Sequence, residues 1–401
     1  MVHCPALAYT RDKETGAVLL DPDRCLGCQY CAWACPFEAP KFDPATGVMT
    51  KCTLCISRLR EGLSPACTEL CPTSALSFAE LPEDEIRQDT EVFPQTDFKP
   101  RVKVVALDGS LRPPEMTAPA TTLNFDPRDD LPPTKISLRS EWPLALFTSL
   151  VPLLVAAWTA TLLTPRSLAA WLDPGVNSGL HSSLAPVLFG IAAAIGLGLS
   201  AIHLGRKERA LRAVANVAGS WLSREIVLIP WFAIMATVFL AWQPTGQLWG
   251  WLIALLGFAG LFAVDRVYCV ALMPSPGELH SASVVLSALF LIGVWIQHPL
   301  LVGVAGLARL LLYIQRKIHL ARCQCTWRPG WTVMRLVMGF GLPAAIVVFD
   351  PVDLWLIALL AALLGDCIDR CEYYAELEIL TPGLQMALEL TNHTRSGTPR
   401  V

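Results

Sequence analysis

Eight cysteines near the start of the chain fall into two blocks whose spacing could hold inorganic clusters. The first block reads Cys-x2-Cys-x2-Cys-x3-Cys-Pro and the second reads Cys-x2-Cys-x11-Cys-x3-Cys-Pro. In such blocks three thiolates bind one [4Fe–4S] cluster, and the cysteine that precedes the proline binds another cluster. The spacing therefore predicts an electron carrier. The predicted ligands are Cys25, Cys28, Cys31 and Cys35 in the first block and Cys52, Cys55, Cys67 and Cys71 in the second.

Zinc and disulfides are the other chemistries open to these cysteines. Structural zinc also binds Cys-x2-Cys pairs, with four thiolates to an ion, but it has no use for the Cys-Pro endings. Disulfides would strain three thiols that lie within seven residues of one another. Taken alone, the two blocks would exchange their last ligands, so that Cys71 completes the first cluster and Cys35 the second.

The composition divides the chain into a polar beginning and an apolar remainder. Hydrophobic residues make up 53% of the 401 residues, and the mean hydropathy of +0.47 is too high for a soluble protein of this size. The net charge is −3, and no basic stripe indicates a nucleic-acid partner. The first residues hold neither an apolar core nor a twin arginine, so they do not predict a secretory signal.

These contrasts predict an α+β ferredoxin-like iron–sulfur domain followed by an all-α polytopic membrane domain. Residues 1–80 form the iron–sulfur domain, with short strands expected at 16–21 and 75–78. The many prolines of residues 81–141 predict an extended connector. Residues 142–371 form the membrane domain, and residues 372–401 form a cytoplasmic tail.

Eight apolar segments of about 20 residues are long enough to cross a bilayer. The sixth is short and carries Arg309. Five basic residues follow the second segment, whereas Arg166 is alone on the other side, so the positive-inside rule places both termini and the iron–sulfur domain on the cytoplasmic side of the inner membrane. The segments are approximately 142–164, 182–204, 221–242, 248–269, 281–298, 300–315, 332–349 and 351–368.

Both halves of the chain resemble subunits of the dimethyl sulfoxide reductase group of molybdoenzymes. The cysteine run that begins Lys51-Cys52-Thr53-Leu54-Cys55 and ends Cys71-Pro72-Thr73 is similar to the iron–sulfur subunit. The strings Ile202-His203-Leu204-Gly205-Arg206 and Ser220-Trp221-Leu222-Ser223-Arg224-Glu225 are similar to the membrane anchor subunit, an eight-helix quinol-oxidising protein. The resemblance implies that the two subunits are fused here.

The resemblance also implies a ninth ligand, Cys4. The family's iron–sulfur subunit has four cysteine blocks, of which the two here resemble the third and fourth, while residues 1–9 resemble the end of the second. Carried over, Cys4 completes the cluster of the first block here, and Cys71 does not. We expect the sequence to be N-terminally shortened, with two clusters in these 401 residues and more in a longer chain. The pairing of the first block with Cys4 or with Cys71 is open at this point.

His203, at the end of the second segment, is the candidate quinol-site residue. Quinol oxidation releases two protons, which favours a titratable group at the site, and the resemblance implicates this histidine in quinol binding. The alternative is a histidine that only caps a helix. Arg224 and Glu225 could shape the same pocket or merely anchor the third segment. Asp366 and Arg370 are spaced for a pair within one helix.

The resemblance implies a non-catalytic subunit of an anaerobic respiratory complex. Its partners would be a molybdopterin-containing catalytic subunit, membrane lipid and the quinol or menaquinol pool, and no haem is expected. Electrons from quinol would pass through the [4Fe–4S] clusters to a terminal acceptor such as a sulfoxide. The same wiring could run in reverse and reduce quinone. A redox-sensing membrane transporter or signalling protein is the alternative from a different class, and it would need polar groups at mid-membrane.

Overall fold

The computed structural model describes a small α+β domain followed by a helical bundle, which confirms the predicted fold class. The predicted connector lies outside the described residues except for its last four residues. The chain beyond residue 376 lies outside them altogether. The described residues are 3–35, 37–79, 138–163, 184–242, 247–271, 282–322, 329–349 and 354–376.

The α+β domain is built on two antiparallel hairpins. In the first, Tyr9 pairs with Leu20, so the strand predicted at 16–21 is confirmed. In the second, a turn at Gly47, whose φ of +68° suits glycine, joins the two strands. Residues 75–78 do not form the predicted strand; Leu76 and Phe78 are exposed, with no neighbouring strand among the described residues. The elements are β1 (Tyr9–Arg11), β2 (Val18–Leu20), α1 (Tyr30–Ala34), β3 (Lys41–Asp43), β4 (Val48–Thr50), α2 (Ile56–Arg60) and α3 (Ala66–Glu69).

The remaining elements form one bundle of long apolar helices. A 3₁₀ segment, Lys207–Asn216, connects α5 to α6, and a π-helical turn, Val337–Gly341, joins α10 to α11. The helices are α4 (Leu138–Leu163), α5 (Leu184–Ile202), α6 (Trp221–Trp242), α7 (Gln247–Ala271), α8 (Val284–Trp295), α9 (Pro299–Arg322), α10 (Pro329–Leu336), α11 (Leu342–Phe349) and α12 (Trp355–Glu376).

Each of the eight predicted membrane segments falls on helical structure, with α10, the π turn and α11 serving as one. Within the described residues, six helices are long and apolar enough to span a bilayer. The fifth predicted segment is the shorter helix α8, and the eighth is α12, whose second half is charged. Large apolar side chains such as Ile191, Trp231 and Leu255 point outward from the bundle and are exposed, as expected of helices that face lipid. The second half of the chain is therefore a membrane domain.

The boundaries of the membrane domain differ from the predicted ones at both ends. Helix α4 begins at Leu138, before the predicted start at 142. Helix α12 continues to Glu376, and Tyr373 and Tyr374 are buried in the core that α4 and α12 share. The first residues of the predicted tail therefore lie inside the bundle. Their aromatic side chains bury apolar surface there, although charged residues flank them in the sequence.

A buried network of ion pairs joins α9, α10 and α12. Arg309 pairs with Asp366, and Arg335 pairs with Asp369 at 3.3 Å. Arg370 does not form the intrahelical pair with Asp366 that its spacing suggests; it donates a hydrogen bond to Ser287 on α8. Buried charges need such partners, so the polar residues of α12 face neighbouring helices and not lipid.

Candidate functional site

The iron–sulfur domain docks on the membrane domain through backbone contacts at three glycines. Gly205 donates a hydrogen bond from its amide to the Gly27 carbonyl at 3.2 Å, and Arg206 donates to the Leu26 carbonyl at 3.0 Å. A side chain at Gly205 would meet the Gly47 carbonyl oxygen at 2.2 Å. The string that carries His203 is thus also the string on which the iron–sulfur domain rests.

The basic 3₁₀ segment after α5 also binds the first cysteine block. Arg209 donates hydrogen bonds to the carbonyls of Pro22 and Cys25, at 2.7 and 3.1 Å, and Arg212 donates to the carbonyl of Asp23. Asn216 donates to the Cys4 carbonyl at 2.9 Å. In the sequence these arginines indicate only how the membrane helices are oriented. In the structure they also bind the iron–sulfur domain, so the basic segment and that domain lie at the same end of the bundle.

The cysteines of the first block gather with Cys4. Cys4 and Cys31 pack against the apolar cluster that contains Cys25, and Cys4 and Cys28 pack against the adjoining cluster of Ala6, Leu26 and Ala213. Burial raises the pKa of the Cys28 thiol, and the nearby Cys31, Cys4 and Cys25 raise it further. Cys71 belongs to neither cluster among the described residues. The arrangement favours Cys4 as the fourth ligand of the first block.

The surroundings of these thiols suit a [4Fe–4S] cluster. Backbone amides aim at the sulfurs: Ala8 donates to Cys4 Sγ, and both Gly27 and Met49 donate to Cys25 Sγ, all at 3.4 Å. Hydrogen bonds of this kind to the ligand sulfurs help to set cluster potentials. Positive φ angles at Gly27 and Gln29 curl the chain between the cysteines.

The second block lies closer to solvent. Cys52 and Cys67 are exposed, and Cys55 and Cys71 are half-buried. The Leu54 amide donates to Cys52 Sγ at 3.3 Å. A hydrogen bond with Thr73 lowers the pKa of the Cys71 thiol to about 7. The two blocks therefore differ in environment: the first is held against the membrane domain and the second faces outward.

A cavity lies where α1 meets the bundle, between the first cysteine block and His203. Its volume is about 30 Å³, which is room for a few water molecules. Its walls are largely aromatic and aliphatic, and Tyr30 fixes one edge by donating a hydrogen bond to the Val267 carbonyl at 3.4 Å. The residues that matter to its chemistry are Cys28, Trp33, Phe147, His203, Glu225 and Tyr268.

The polar groups of the cavity are buried and available for proton transfer. His203 is the first residue after the span in α5, and burial lowers its pKa to about 4, so its imidazole is neutral at pH 7. Its Nδ1 has no hydrogen-bond partner among the described residues. Glu225 on α6 is 6% exposed. A neutral imidazole and a carboxyl group facing one apolar cavity are groups through which the protons of a bound hydroxyl can pass.

Arg224 takes no part in the cavity. Its guanidinium is exposed, donates hydrogen bonds to the carbonyls of Val217 and Ala218 at 2.9 and 2.7 Å, and stacks on Trp221. It therefore secures the turn before α6. The sequence did not reveal Trp33, Phe147 or Tyr268, because their aromatic rings look like ordinary core residues until the two domains are docked.

Two separate regions of the chain match known protein families. Residues 1–81 match the 4Fe-4S dicluster domain family, and residues 137–303 match the DMSO reductase anchor subunit (DmsC) family. No solved structure matches the chain significantly.

Curated relatives match the chain over limited stretches. The thiosulfate reductase electron transfer subunit PhsB of Salmonella typhi is 47% identical over 100 residues, which is 24% of this chain and 52% of PhsB. The probable anaerobic dimethyl sulfoxide reductase component YnfG of Escherichia coli K12 is 47% identical over 85 residues, 21% of this chain and 40% of YnfG. The protein NrfC of Escherichia coli K12 is 46% identical over 88 residues, 21% of this chain and 40% of NrfC. The chain thus spans about half the length of the curated relatives it matches, or somewhat less. One polypeptide thus joins a region that matches the 4Fe–4S dicluster domain family to a region that matches the DMSO reductase anchor subunit family.

Proposed function

We propose that the chain oxidises a membrane quinol, such as menaquinol, in the cavity between His203, Glu225 and Cys28. The observation that carries this proposal is the shared wall: a predicted cluster ligand, Cys28, lines the same cavity as the two buried proton acceptors. A [4Fe–4S] cluster bound by the first cysteine block would accept single electrons there.

The cavity provides the remaining requirements of quinol oxidation. Its aromatic and aliphatic walls suit a quinol ring, and most of its lining residues belong to the apolar membrane domain. His203 and Glu225 can take the two hydroxyl protons. Since the described cavity has room for little more than water, a ring enters only when side chains at the mouth give way.

We further propose that the electrons leave through the second cysteine block to a separate molybdopterin-containing catalytic subunit. The exposure of Cys52 and Cys67 supports this direction, because the block presents an open surface to a partner. The names of the relatives, which belong to thiosulfate and dimethyl sulfoxide reductases, support reduction of a terminal acceptor such as a sulfoxide. The basic segment that binds the iron–sulfur domain supports a cytoplasmic location of that domain at the inner membrane.

The test is anaerobic reduction of the bound clusters by menadiol, followed by their visible absorbance, in membranes that contain the chain. We expect His203→Gln to abolish reduction by menadiol and to leave reduction by dithionite unchanged. His298→Gln is the matched control, since the His298 side chain accepts a hydrogen bond from the Leu301 amide at the start of α9 and does not line the cavity in the described part of the chain. Equal menadiol rates in all three proteins would remove His203 from the site.

A further inference from the structure

Quinol oxidation at the cavity leaves two protons in an apolar, buried place. Each hydroxyl O–H bond that breaks yields one proton to the protein and one electron to the cluster, and the product is the quinone. Neither His203 nor Glu225 can accept protons in the next turnover until it has passed on the first ones. The site therefore needs a route by which protons leave, and this inference rests on the proposed quinol oxidation.

A hydrogen-bonded pair of tyrosines leads away from the cavity. Tyr268 on α7 lines the cavity together with Glu225, and its hydroxyl is hydrogen-bonded to the hydroxyl of Tyr374 on α12. Tyr374 is 2% exposed and does not line the cavity. A phenol can accept a proton on its oxygen while it donates its own, so two such hydroxyls in contact form a relay.

A second buried carboxyl group lies near the tyrosine pair. Glu141 lies in the first turn of α4, at the end of the bundle where the iron–sulfur domain docks, and it is 4% exposed. Helix α4 packs against α12 in the core that contains Tyr374, and the Glu141 carboxyl lies within electrostatic reach of both tyrosine hydroxyls. Glu141 is the first residue of the candidate membrane span in α4, so this carboxyl lies at the boundary of the membrane segment.

We propose that Tyr268, Tyr374 and Glu141 form a proton-release path that begins at Glu225. Glu225 accepts a quinol proton on one carboxyl oxygen and passes a proton to Tyr268. Tyr268 accepts it as it donates its own proton to Tyr374, and Tyr374 accepts that proton as it donates its own to the Glu141 carboxylate, which then releases it to water. Each transfer breaks one O–H bond and forms another, so one proton enters the path for every proton that leaves. Arg370, the other charged group that faces Tyr268, is held by Ser287 and supplies no acceptor.

The decisive variant is Tyr374→Phe, because it removes one hydroxyl without touching the cavity. Tyr373→Phe is the matched control: Tyr373 is the neighbouring buried residue of α12, and its ring packs on Tyr268 and Tyr374. We expect Tyr374→Phe to slow menadiol-driven cluster reduction by about 10- to 100-fold and to increase its solvent deuterium isotope effect. Dithionite reduction, the cluster spectrum and the binding of menadione should stay as in the wild type.

Glu141→Gln keeps the shape of the side chain and removes the proton acceptor, so it should reproduce the slow phase, and Glu141→Asp should restore part of the rate. These variants decide the question if Tyr374→Phe does not assemble. Wild-type rates in Tyr374→Phe and Glu141→Gln, or an equal loss in Tyr373→Phe, would overturn the path while leaving quinol oxidation in place. Failure of the wild-type chain itself to react with menadiol would remove the proposed function and the path together.

Discussion

Substitution of Gly205 by alanine should separate the cavity from the first cysteine block. The new Cβ would lie 2.2 Å from the Gly47 carbonyl oxygen, whereas Cβ atoms essentially never come closer than 3.0 Å to another atom, so the two backbones must move apart by about 0.8 Å. That movement stretches the 3.2 Å hydrogen bond from Gly205 to Gly27 beyond its useful range. Two interdomain backbone hydrogen bonds contribute about 1 kcal/mol each, and the overpacking costs about 1–3 kcal/mol.

Docking should therefore weaken by about 3–5 kcal/mol, which is a factor of about 100 or more in its equilibrium constant. The assay is the rate of menadiol-driven cluster reduction, with dithionite reduction as the measure of intact clusters. Gly198→Ala on α5 is the control, because a Cβ there meets no atom within 4 Å. A Gly205→Ala chain that reacts with menadiol as fast as Gly198→Ala would refute the argument that this contact holds the first cysteine block at the cavity.

Three further predictions concern the ligands, the buried ion pairs and pH. Cys4→Ser should remove the electron paramagnetic resonance signal of the cluster beside the cavity and Cys71→Ser should not; the opposite result would restore the exchanged pairing. Asp366→Asn leaves the buried charge of Arg309 without its partner, so the free energy of unfolding should fall by about 3–5 kcal/mol, and an unchanged Tm in detergent would contradict this. Because burial lowers the pKa of His203 to about 4, its contribution to stability is present above pH 6.5 and is lost as pH falls toward 4, by about 2 kcal/mol between pH 6.5 and 5. His203→Gln should flatten this part of the stability profile, and an unaltered slope would show that another group titrates.

The sequence predicts the division of the chain well because its strongest signals are local. Cysteine spacing within one block is fixed by the cluster it binds, and the length of an apolar segment is fixed by the bilayer. Both depend on residues close together in the chain. The hairpin strand at Val18–Leu20 follows from the same kind of local pattern.

The sequence could not predict the contacts between segments that are far apart in the chain. Asp366 and Arg370 have the spacing of an intrahelical pair, yet Asp366 binds Arg309 on another helix and Arg370 binds Ser287 on a third. Tyr268 has no local mark of function, and only docking of the iron–sulfur domain places it beside Glu225 and Cys28. The expectation of a shortened N-terminus stays a prediction.

The measurement that tests the central claim most directly is photolabelling of the full chain with an azido-naphthoquinone, followed by peptide mapping. The claim is that quinol binds between the first cysteine block and His203. It predicts label on the cavity walls around Trp33, Phe147 and Tyr268, and loss of that label when menadiol competes. Label that menadiol displaces from another part of the bundle, with none on these walls, would contradict it.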